Sequence, residues 1–259
     1  SGRGAPRSGV VIRGLLALLL TVAANGAAAV DCRDLQYDGN RYTVCAVDTA
    51  REDLRLFLYD GENEVLGQFG AIDRSLAGEG RKLAFAMNGG MYHSDRAPVG
   101  YYVENGVELM HLVPNAGPGN FGLLPNGIFC IREGRADVIE TLAFQASPRD
   151  CRFATQSGPM LVIDGALHPA FNPDGTSRKR RNGVGVSADG DTLWFAISDG
   201  PVNFDTFARL FRDQLGAADA LYLDGTVSRL YAPALNRDDG GTDMGPIVAI
   251  VRTPAREAR

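Results

Sequence analysis

The sequence is poor in the residues and motifs that many catalytic and metal sites use. Its 259 residues include only 3 His and 1 Trp, and its 4 Cys show no paired zinc-site spacing. It contains no GxSxG, HExxH or P-loop sequence, which excludes three common kinds of catalytic or nucleotide site. Gly117–Gly122 matches GxGxxG, but it contains a proline and no helical pattern follows it, so it does not predict a dinucleotide site. We therefore expect neither a cofactor nor a metal ion.

The chain also lacks an excess of positive charge. There are 26 Lys and Arg against 31 Asp and Glu, a net charge of −5, and no basic arm. Because neutralised phosphates supply most of the affinity for nucleic acid, we expect no nucleic-acid partner. A hydrophobic content of 45% excludes a disordered chain. The 32 Gly and 13 Pro instead predict many tight turns between short strands.

Long apolar runs are absent as well. Three arginines and no acidic residue precede the apolar stretch Leu15–Ala24, and three alanines follow at 27–29. This pattern predicts a signal peptide over residues 1–29, the alternative being a buried helix. At about ten residues the stretch is too short for a bilayer, which needs about 20. We therefore expect a secreted or periplasmic chain over residues 30–259, with no membrane span in its mature form.

The four cysteines then predict two disulfides. Their number is even and an exported chain meets an oxidising compartment, so a free catalytic cysteine is disfavoured. Three pairings are possible. Cys32 and Cys45 flank two short strands around Asp38-Gly39-Asn40, a turn that could bring the two sulfurs together. This favours Cys32–Cys45 together with Cys130–Cys151.

The remaining pattern is one of short strands with few helices. Phe204, Phe207, Phe211 and Leu215 share one helical face, which Asn203 can cap and Gly216 can end. A shorter helix is predicted near Ala71–Ala77. The fold class is therefore α+β: a single β-rich mixed domain with few helices. The predicted strands are Tyr42–Val47, Leu54–Tyr59, Leu83–Met87, Val99–Val103, Gly127–Ile131, Ala136–Ile139, Met160–Ile163, Gly183–Val186, Leu193–Ile197, Ala220–Leu223 and Ile247–Arg252.

Two candidate site segments combine polar residues with glycine beside a strand. Asn88-Gly89-Gly90-Met91-Tyr92 follows one, and an asparagine amide with two glycines can present donors to an anion or a sugar. Ser157-Gly158-Pro159 precedes another. For each segment the alternative is an ordinary turn, and for the second the turn is favoured.

Two further segments carry charge. Arg178-Lys179-Arg180-Arg181 leads into a strand, and alternation favours Arg181 or Arg178 as a bidentate phosphate ligand, although such runs are usually solvated loops. The run at 221–228 ends its strand in Asp224-Gly225 and continues to Ser228. Asp199-Gly200 repeats this arrangement after the strand at 193–197. Both aspartates could be catalytic or sugar-binding carboxylates; the alternative is that they cap turns.

These four segments, in this order, resemble those of the phosphodiester glycosidase domain family. The resemblance rests on NGGMY at 88–92, SGP at 157–159, RKRRNGVGV at 178–186 and LYLDGTVS at 221–228, and it spans Asp48 to Val251. One branch of the family tends to end its last motif in Asp-Gly-Gly and a serine. Here Thr226 and Val227 separate Gly225 from the serine, a departure that bears on the substrate more than on the fold.

The resemblance implies hydrolysis of a sugar-1-phosphodiester, with water attacking the anomeric carbon. Such a reaction needs a carboxylate, donors for the phosphate and polar groups for the sugar. Asp224 is the first candidate for the carboxylate and Asp199 the second. Arg181 is expected to hold the phosphate with help from the turn at Asn88, Gly89 and Gly90. Ser157 and Ser228 are hydrogen-bonding candidates, and His93, which directly follows the first segment, could enter the pocket and bind substrate.

Other interpretations stay open. The same scaffold could be a non-catalytic glycan-binding module, or a phosphodiesterase that cleaves P–O rather than C–O. His111 and His168 are expected to be structural or on the surface. The loops Asn172–Gly175 and Asp238–Asp243 carry carboxylates that could hold calcium, although neither has EF-hand spacing and solvated loops are favoured. Whether the protein is an enzyme or a binding module, the expected partner is a sugar-phosphodiester or a glycan.

Overall fold

A computed structural model of the protein describes residues 1, 2, 4, 30–225 and 227–254. The predicted signal peptide lies almost entirely outside the described residues. Strands dominate the rest, which confirms the β-rich α+β class. They are β1 Val30–Tyr37, β2 Asn40–Asp48, β3 Asp53–Phe57, β4 Lys82–Asn88, β5 Tyr102–Glu104, β6 Val107–Met110, β7 Gly127–Arg132, β8 Arg135–Glu140, β9 Phe153–Ser157, β10 Met160–Ile163, β11 Ala166–Leu167, β12 Asn182–Val186, β13 Thr192–Ser198, β14 Asp219–Asp224, β15 Leu230–Ala232, β16 Arg237–Asp238 and β17 Ile247–Arg252.

The described strands form three sheets around one core. The first has the order β1-β2-β13-β12-β14-β10-β11, the second β16-β15-β4-β17-β3 and the third β6-β5-β9-β7-β8. One aromatic ring from each sheet meets at the centre. The Phe195 ring centroid lies 4.9 Å from that of Phe85 and 6.1 Å from that of Phe129. All three rings are buried, so the apolar faces of the sheets enclose a single interior.

The predicted long helix packs on the outer face of the first sheet. α3, Phe204–Arg209, continues as a π-helical turn over Leu210–Leu215. The Asn203 side chain accepts a hydrogen bond from the Thr206 amide at 2.8 Å, and Gly216 ends the helix with φ 73°, as predicted. A helical face of phenylalanines thus covers β12 and β14, the strands that lead into the candidate site.

Two further helices lie at the second and third sheets. α1, Phe69–Ala77, confirms the predicted short helix and buries Ile72 and Leu76 against the second sheet. α2, Thr141–Ala146, is only six residues long and was not predicted from the sequence. The 3₁₀ turn Pro233–Leu235 was not predicted either.

The strand predictions are confirmed with small shifts in their ends. The run predicted from Val99 begins only at Tyr102, because Val99 and its neighbours form the end of a loop instead. Among residues 30–225 and 227–254, no helix is long and apolar enough to cross a bilayer. Five of the described strands were not predicted: β6, β9, β11, β15 and β16. All of them are short or lie at a sheet edge except β9, which is central in the third sheet.

Both predicted disulfides form. Cys32 and Cys45 are direct partners in the β1–β2 hairpin, with Cα atoms 3.9 Å apart. Cys130 in β7 bonds Cys151, which precedes β9, at a Cα separation of 5.4 Å. The predicted pairing is therefore confirmed.

Candidate functional site

The four sequence segments converge at the ends of strands from all three sheets. NGGMY follows β4 of the second sheet, and SGP joins β9 of the third sheet to β10 of the first. Asn182, after the basic run, opens β12, and Asp224 closes β14. Asn182 and Asp224 are direct partners in the β12–β14 ladder. The segments predicted to act together therefore do lie together.

Asp224 is held by donors from two of these segments. Asn88 Nδ2 donates to Asp224 Oδ2 at 3.2 Å, and the Gly225 amide donates to Asp224 Oδ1 at 2.6 Å. Two donors on a carboxylate stabilise its ionised form and fix its orientation. A carboxylate held in this way at a strand end suits general-base or nucleophilic chemistry.

A buried polar network lies behind the carboxylate. Asn88 is fully buried; its Oδ1 accepts from the Arg229 amide at 2.6 Å, and its Nδ2 also donates to the Val227 carbonyl. Asn182 Nδ2 donates to the Asn88 carbonyl at 3.0 Å. The Ser228 hydroxyl lies 3.0 Å from the Asp224 carbonyl oxygen and 3.3 Å from Asn182 Oδ1. Asn88 thus links β4, β12 and the chain that follows Asp224.

Replacing Asn88 by alanine is expected to destabilise the fold as well as the site. The change leaves the buried Arg229 amide and Val227 carbonyl without the amide side chain that pairs them. Unsatisfied buried groups of this kind cost about 1–3 kcal/mol. Urea denaturation should show this loss in Asn88→Ala, whereas Asn115→Ala, at an exposed loop position, should unfold like wild type. Equal stability of the two variants would contradict the hydrogen bonds assigned to the Asn88 side chain.

Ser157 and the two residues after it contact the chain next to Asp224. The buried Ser157 hydroxyl donates to the Leu223 carbonyl at 3.1 Å. Gly158 precedes Pro159 through a cis peptide bond, and a Cβ at Gly158 would lie 2.4 Å from the Asn126 Cβ. Here glycine is needed because two chain segments touch. The predicted contact of Ser157 with a ligand remains a prediction.

The two glycines of the first segment are also explained by close packing. The Gly89 amide donates to the Pro246 carbonyl at 2.7 Å, and a Cβ at Gly89 would lie 2.8 Å from the Val248 nitrogen. Gly90, with φ 158°, would place a Cβ 2.5 Å from Thr155 Oγ1. The amide of Gly89 is therefore used within the protein. Their role in phosphate binding stays a prediction.

Arg181 is enclosed by the protein rather than extended into solvent. The side chain is fully buried, and burial lowers the pKa of its guanidinium. Its Nε donates to the Val202 carbonyl and its Nη2 to the Ser177 carbonyl, each at 2.9 Å. Nη1 has no hydrogen-bond partner among the described residues. The sequence suggested that Arg181 binds phosphate bidentately. Binding through Nε and Nη2 would require the hydrogen bonds to the Val202 and Ser177 carbonyls to break.

Asp199 and Asp224 belong to different networks. Asp199 forms ion pairs with Arg41 at 3.4 Å and with Arg237 at 3.6 Å, near the surface. Asp239, in the loop considered for calcium, pairs with Arg237 at 3.0 Å and with Arg180 at 3.1 Å. These carboxylates therefore neutralise a cluster of arginines beside the site, whereas Asp224 faces asparagine and backbone donors.

The histidines differ in their surroundings. His93 is exposed, and its backbone amide closes a turn by donating to the Ala97 carbonyl at 2.8 Å. Its contribution to the site remains a prediction. His111 is also exposed, and its Nδ1 lies 2.5 Å from Glu108 Oε1. His168 is buried and stacks on Phe171 at 4.7 Å between ring centroids, in agreement with a structural role.

Tyr92 and Tyr222, which lie near Asp224, were not assigned to the site from the sequence, and neither was Asn120, which lies beside Tyr222. Burial and the charge of Asp224 raise the pKa of Tyr92. They also raise the pKa of Tyr222 to about 12, against the opposing effects of Arg181 and Asn120, whose side chains lie beside the hydroxyl. The signal for Tyr222 was present, since it precedes Asp224 by two positions in a strand and such residues share a face.

Comparison with known proteins gives one family match. The family model described as phosphodiester glycosidase matches residues 81–250. The uncharacterised protein YigE of Escherichia coli K12 is 32% identical over 225 residues, covering 86% of this chain and 87% of that protein.

Several solved structures share the fold. The catalytic domain of zebrafish N-acetylglucosamine-1-phosphodiester alpha-N-acetylglucosaminidase, described as auto-inhibited by its pro-peptide, has a TM-score of 0.59 and 15% identity over 85% of this chain and 81% of that one. A hypothetical protein from Synechocystis has a TM-score of 0.57 and 12% identity over 86% of this chain. This chain spans only 61% of the Synechocystis protein.

Proposed function

The chain belongs to the phosphodiester glycosidase family, and from this we propose that it is a hydrolase cleaving a sugar-1-phosphodiester at the anomeric C–O bond. The observation that carries the proposal is the arrangement around Asp224. Its carboxylate ends a strand where all four family-like segments meet, and it accepts hydrogen bonds from Asn88 and Gly225. The chain also shares its fold with the catalytic domain of the zebrafish enzyme, which is consistent with the proposal.

In the proposed reaction, Asp224 acts at the anomeric carbon. As a base it would take a proton from water, whose oxygen forms the new bond to the anomeric carbon while the bond to the phosphate oxygen breaks. As a nucleophile it would form that bond itself before water replaces it. In both cases a phosphomonoester leaves with the bonding electrons. Asn88 keeps one carboxylate oxygen oriented throughout.

Positive charge near the phosphate would favour its departure. A phosphate leaves more easily than an alkoxide, so stabilisation of its negative charge replaces much of the work of a general acid. Arg181 is a buried cation beside Tyr222, and its guanidinium lies against the rings of Phe204 and Tyr222. A buried charge acts more strongly than an exposed one because water screens it less.

We further propose that the protein works outside the cytoplasm, in the periplasm or after secretion. Its two disulfides support this, because such bonds persist in oxidising compartments. The proposed substrate is accordingly a sugar-phosphodiester or a phosphodiester-linked glycan of the cell envelope or its surroundings.

Hydrolysis of a panel of sugar-1-phosphodiesters in ¹⁸O-labelled water tests the proposal. We expect release of free sugar with the label in the sugar, because C–O cleavage places the water oxygen on the anomeric carbon. Label in the released phosphate would instead show a P–O-cleaving phosphodiesterase. Binding of the panel without turnover would show a glycan-binding module. Either of these results would overturn the proposed glycosidase.

A further inference from the structure

A buried cation whose hydrogen-bond partners are neutral is the unusual feature of the site. Arg181 is fully buried, and its two bonded nitrogens meet main-chain carbonyls. Its Cζ lies 3.6 Å from the centroid of the Phe204 ring and 5.2 Å from that of Tyr222. Taking a charge out of water is costly unless an opposite charge compensates for it. The guanidinium is therefore suited to an anion that arrives with a ligand.

The surroundings hold this guanidinium rigidly in place. The Phe204 ring stacks on Phe171 with centroids 5.2 Å apart, and Phe171 stacks on His168. The Arg181 amide also donates to Ser198 Oγ at 2.9 Å. The guanidinium is thus fixed at the end of this stack, and the Tyr222 ring is its other aromatic neighbour.

Tyr222 stands between this cation and the candidate catalytic carboxylate. A Cβ on Gly225 would lie 2.1 Å from the Tyr222 hydroxyl oxygen, so the hydroxyl packs directly against the residue after Asp224. The Arg181 and Asn120 side chains also lie at this hydroxyl. Asn120 is exposed and belongs to the glycine-containing loop Gly117–Gly122. The hydroxyl therefore has the buried cation on one side and a surface side chain on another.

We propose that Tyr222 and Arg181 form the phosphate subsite of the reaction inferred above, with the Tyr222 hydroxyl donating to a phosphate oxygen and Arg181 supporting it from behind. This assignment rests on the proposed function. The phosphate takes the position that Asn120 occupies at the hydroxyl. Arg181 thus acts on the phosphate through Tyr222, which removes the need for the buried guanidinium to give up its bonds to the Val202 and Ser177 carbonyls.

The chemistry of the pair fits this role. Burial raises the pKa of Tyr222 to about 12, so its hydroxyl keeps its proton at neutral pH and can donate it in a hydrogen bond. A neighbouring guanidinium makes the phenol a stronger donor by favouring negative charge on its oxygen. A hydrogen bond to a charged group contributes about 1.5–3 kcal/mol, which corresponds to roughly a tenfold to hundredfold change in affinity.

Inorganic phosphate is the probe for this subsite. We expect it to inhibit wild-type hydrolysis competitively, and Tyr222→Phe to weaken its inhibition constant about tenfold or more. Tyr101→Phe is the matched control, because that ring packs on Phe144 of α2. Asn120→Ala should bind phosphate at least as tightly as wild type, since it removes the group that the phosphate displaces. Equal phosphate affinity of Tyr222→Phe and wild type, or no phosphate binding by wild type, would overturn the subsite.

Direct binding, measured by calorimetry, separates this inference from the proposed function. Phosphate binding that depends on Tyr222 in a protein without turnover would support the subsite and reject the hydrolase. Sugar release by wild type, together with phosphate binding that Tyr222→Phe leaves unchanged, would support the hydrolase and reject the subsite.

The position of the hydroxyl has its own structural test. Gly225→Ala should be destabilised by the contact with the Tyr222 oxygen. Adding Tyr222→Phe should recover much of the stability, because the new Cβ then meets the ring carbon Cζ at 3.3 Å. If the double variant were as unstable as Gly225→Ala alone, the placement of the hydroxyl, and with it the subsite, would be wrong.

Discussion

Asp224→Asn is expected to lower kcat/KM for sugar-1-phosphodiester hydrolysis by about 10²- to 10⁴-fold while leaving the fold intact. The asparagine oxygen can still accept a hydrogen bond from the Gly225 amide, as Asp224 Oδ1 does at 2.6 Å. What is lost is the negative charge and basicity needed at the anomeric carbon. The measurement is steady-state kinetics on the substrate that wild type cleaves fastest, with circular dichroism to confirm folding.

Two matched variants make the result specific to this carboxylate. Asp174→Asn changes an exposed loop aspartate and should leave kcat/KM unchanged. Asp199→Asn removes the carboxylate that pairs with Arg41 and Arg237, so it should have a much smaller effect than Asp224→Asn. If Asp199→Asn were the inactive variant and Asp224→Asn retained turnover, the two assignments would have to be exchanged.

The pattern of the sequence was sufficient to locate the strands that carry the site. Apolar runs such as Met160–Ile163 and Ile247–Arg252 end at glycine or charge, and the structure has strands with the same ends. β9, Phe153–Ser157, was missed although it is fully buried, because its sequence FATQS mixes apolar and polar residues without alternation. Its burial follows from pairing with β5 and β7, which is a tertiary effect.

The site was predicted as a set of residues but not as a geometry. Polar residues at strand ends marked Asn88 and Asp224, and the structure joins them by a hydrogen bond. Arg181 or Arg178 was interpreted as a phosphate ligand because the basic run leads directly into a strand and alternation favours those two positions. Nothing local shows that Arg181 turns inward, since its burial depends on Phe204 from a helix more than twenty residues later. Tyr222 was likewise given no separate role within its predicted strand.

The predicted pairing of the cysteines leads to a second large expected effect. Replacing Cys130 and Cys151 together by alanine should lower the free energy of unfolding by about 3 kcal/mol, because their bond closes a loop with a sequence separation of 21. The bond also lies inside an apolar cluster of the third sheet, so alanine avoids burying new polar groups. For a chain of this size, that loss corresponds to a melting temperature lower by about 10 °C.

Urea and thermal denaturation of this double variant, beside Cys32→Ala/Cys45→Ala and wild type with and without reductant, measure the effect. Reductant should bring wild type to or below the stability of each double variant, since it opens both bonds. Below the melting temperature, kcat/KM of the double variants should stay near wild type, because neither bond contains a residue of the Asp224 network. Loss of turnover in a folded double variant would instead support the alternative that a cysteine is catalytic. Unchanged stability would mean that the disulfides do not restrain the unfolded chain. The disulfides would then give no reason for the protein to need an oxidising compartment.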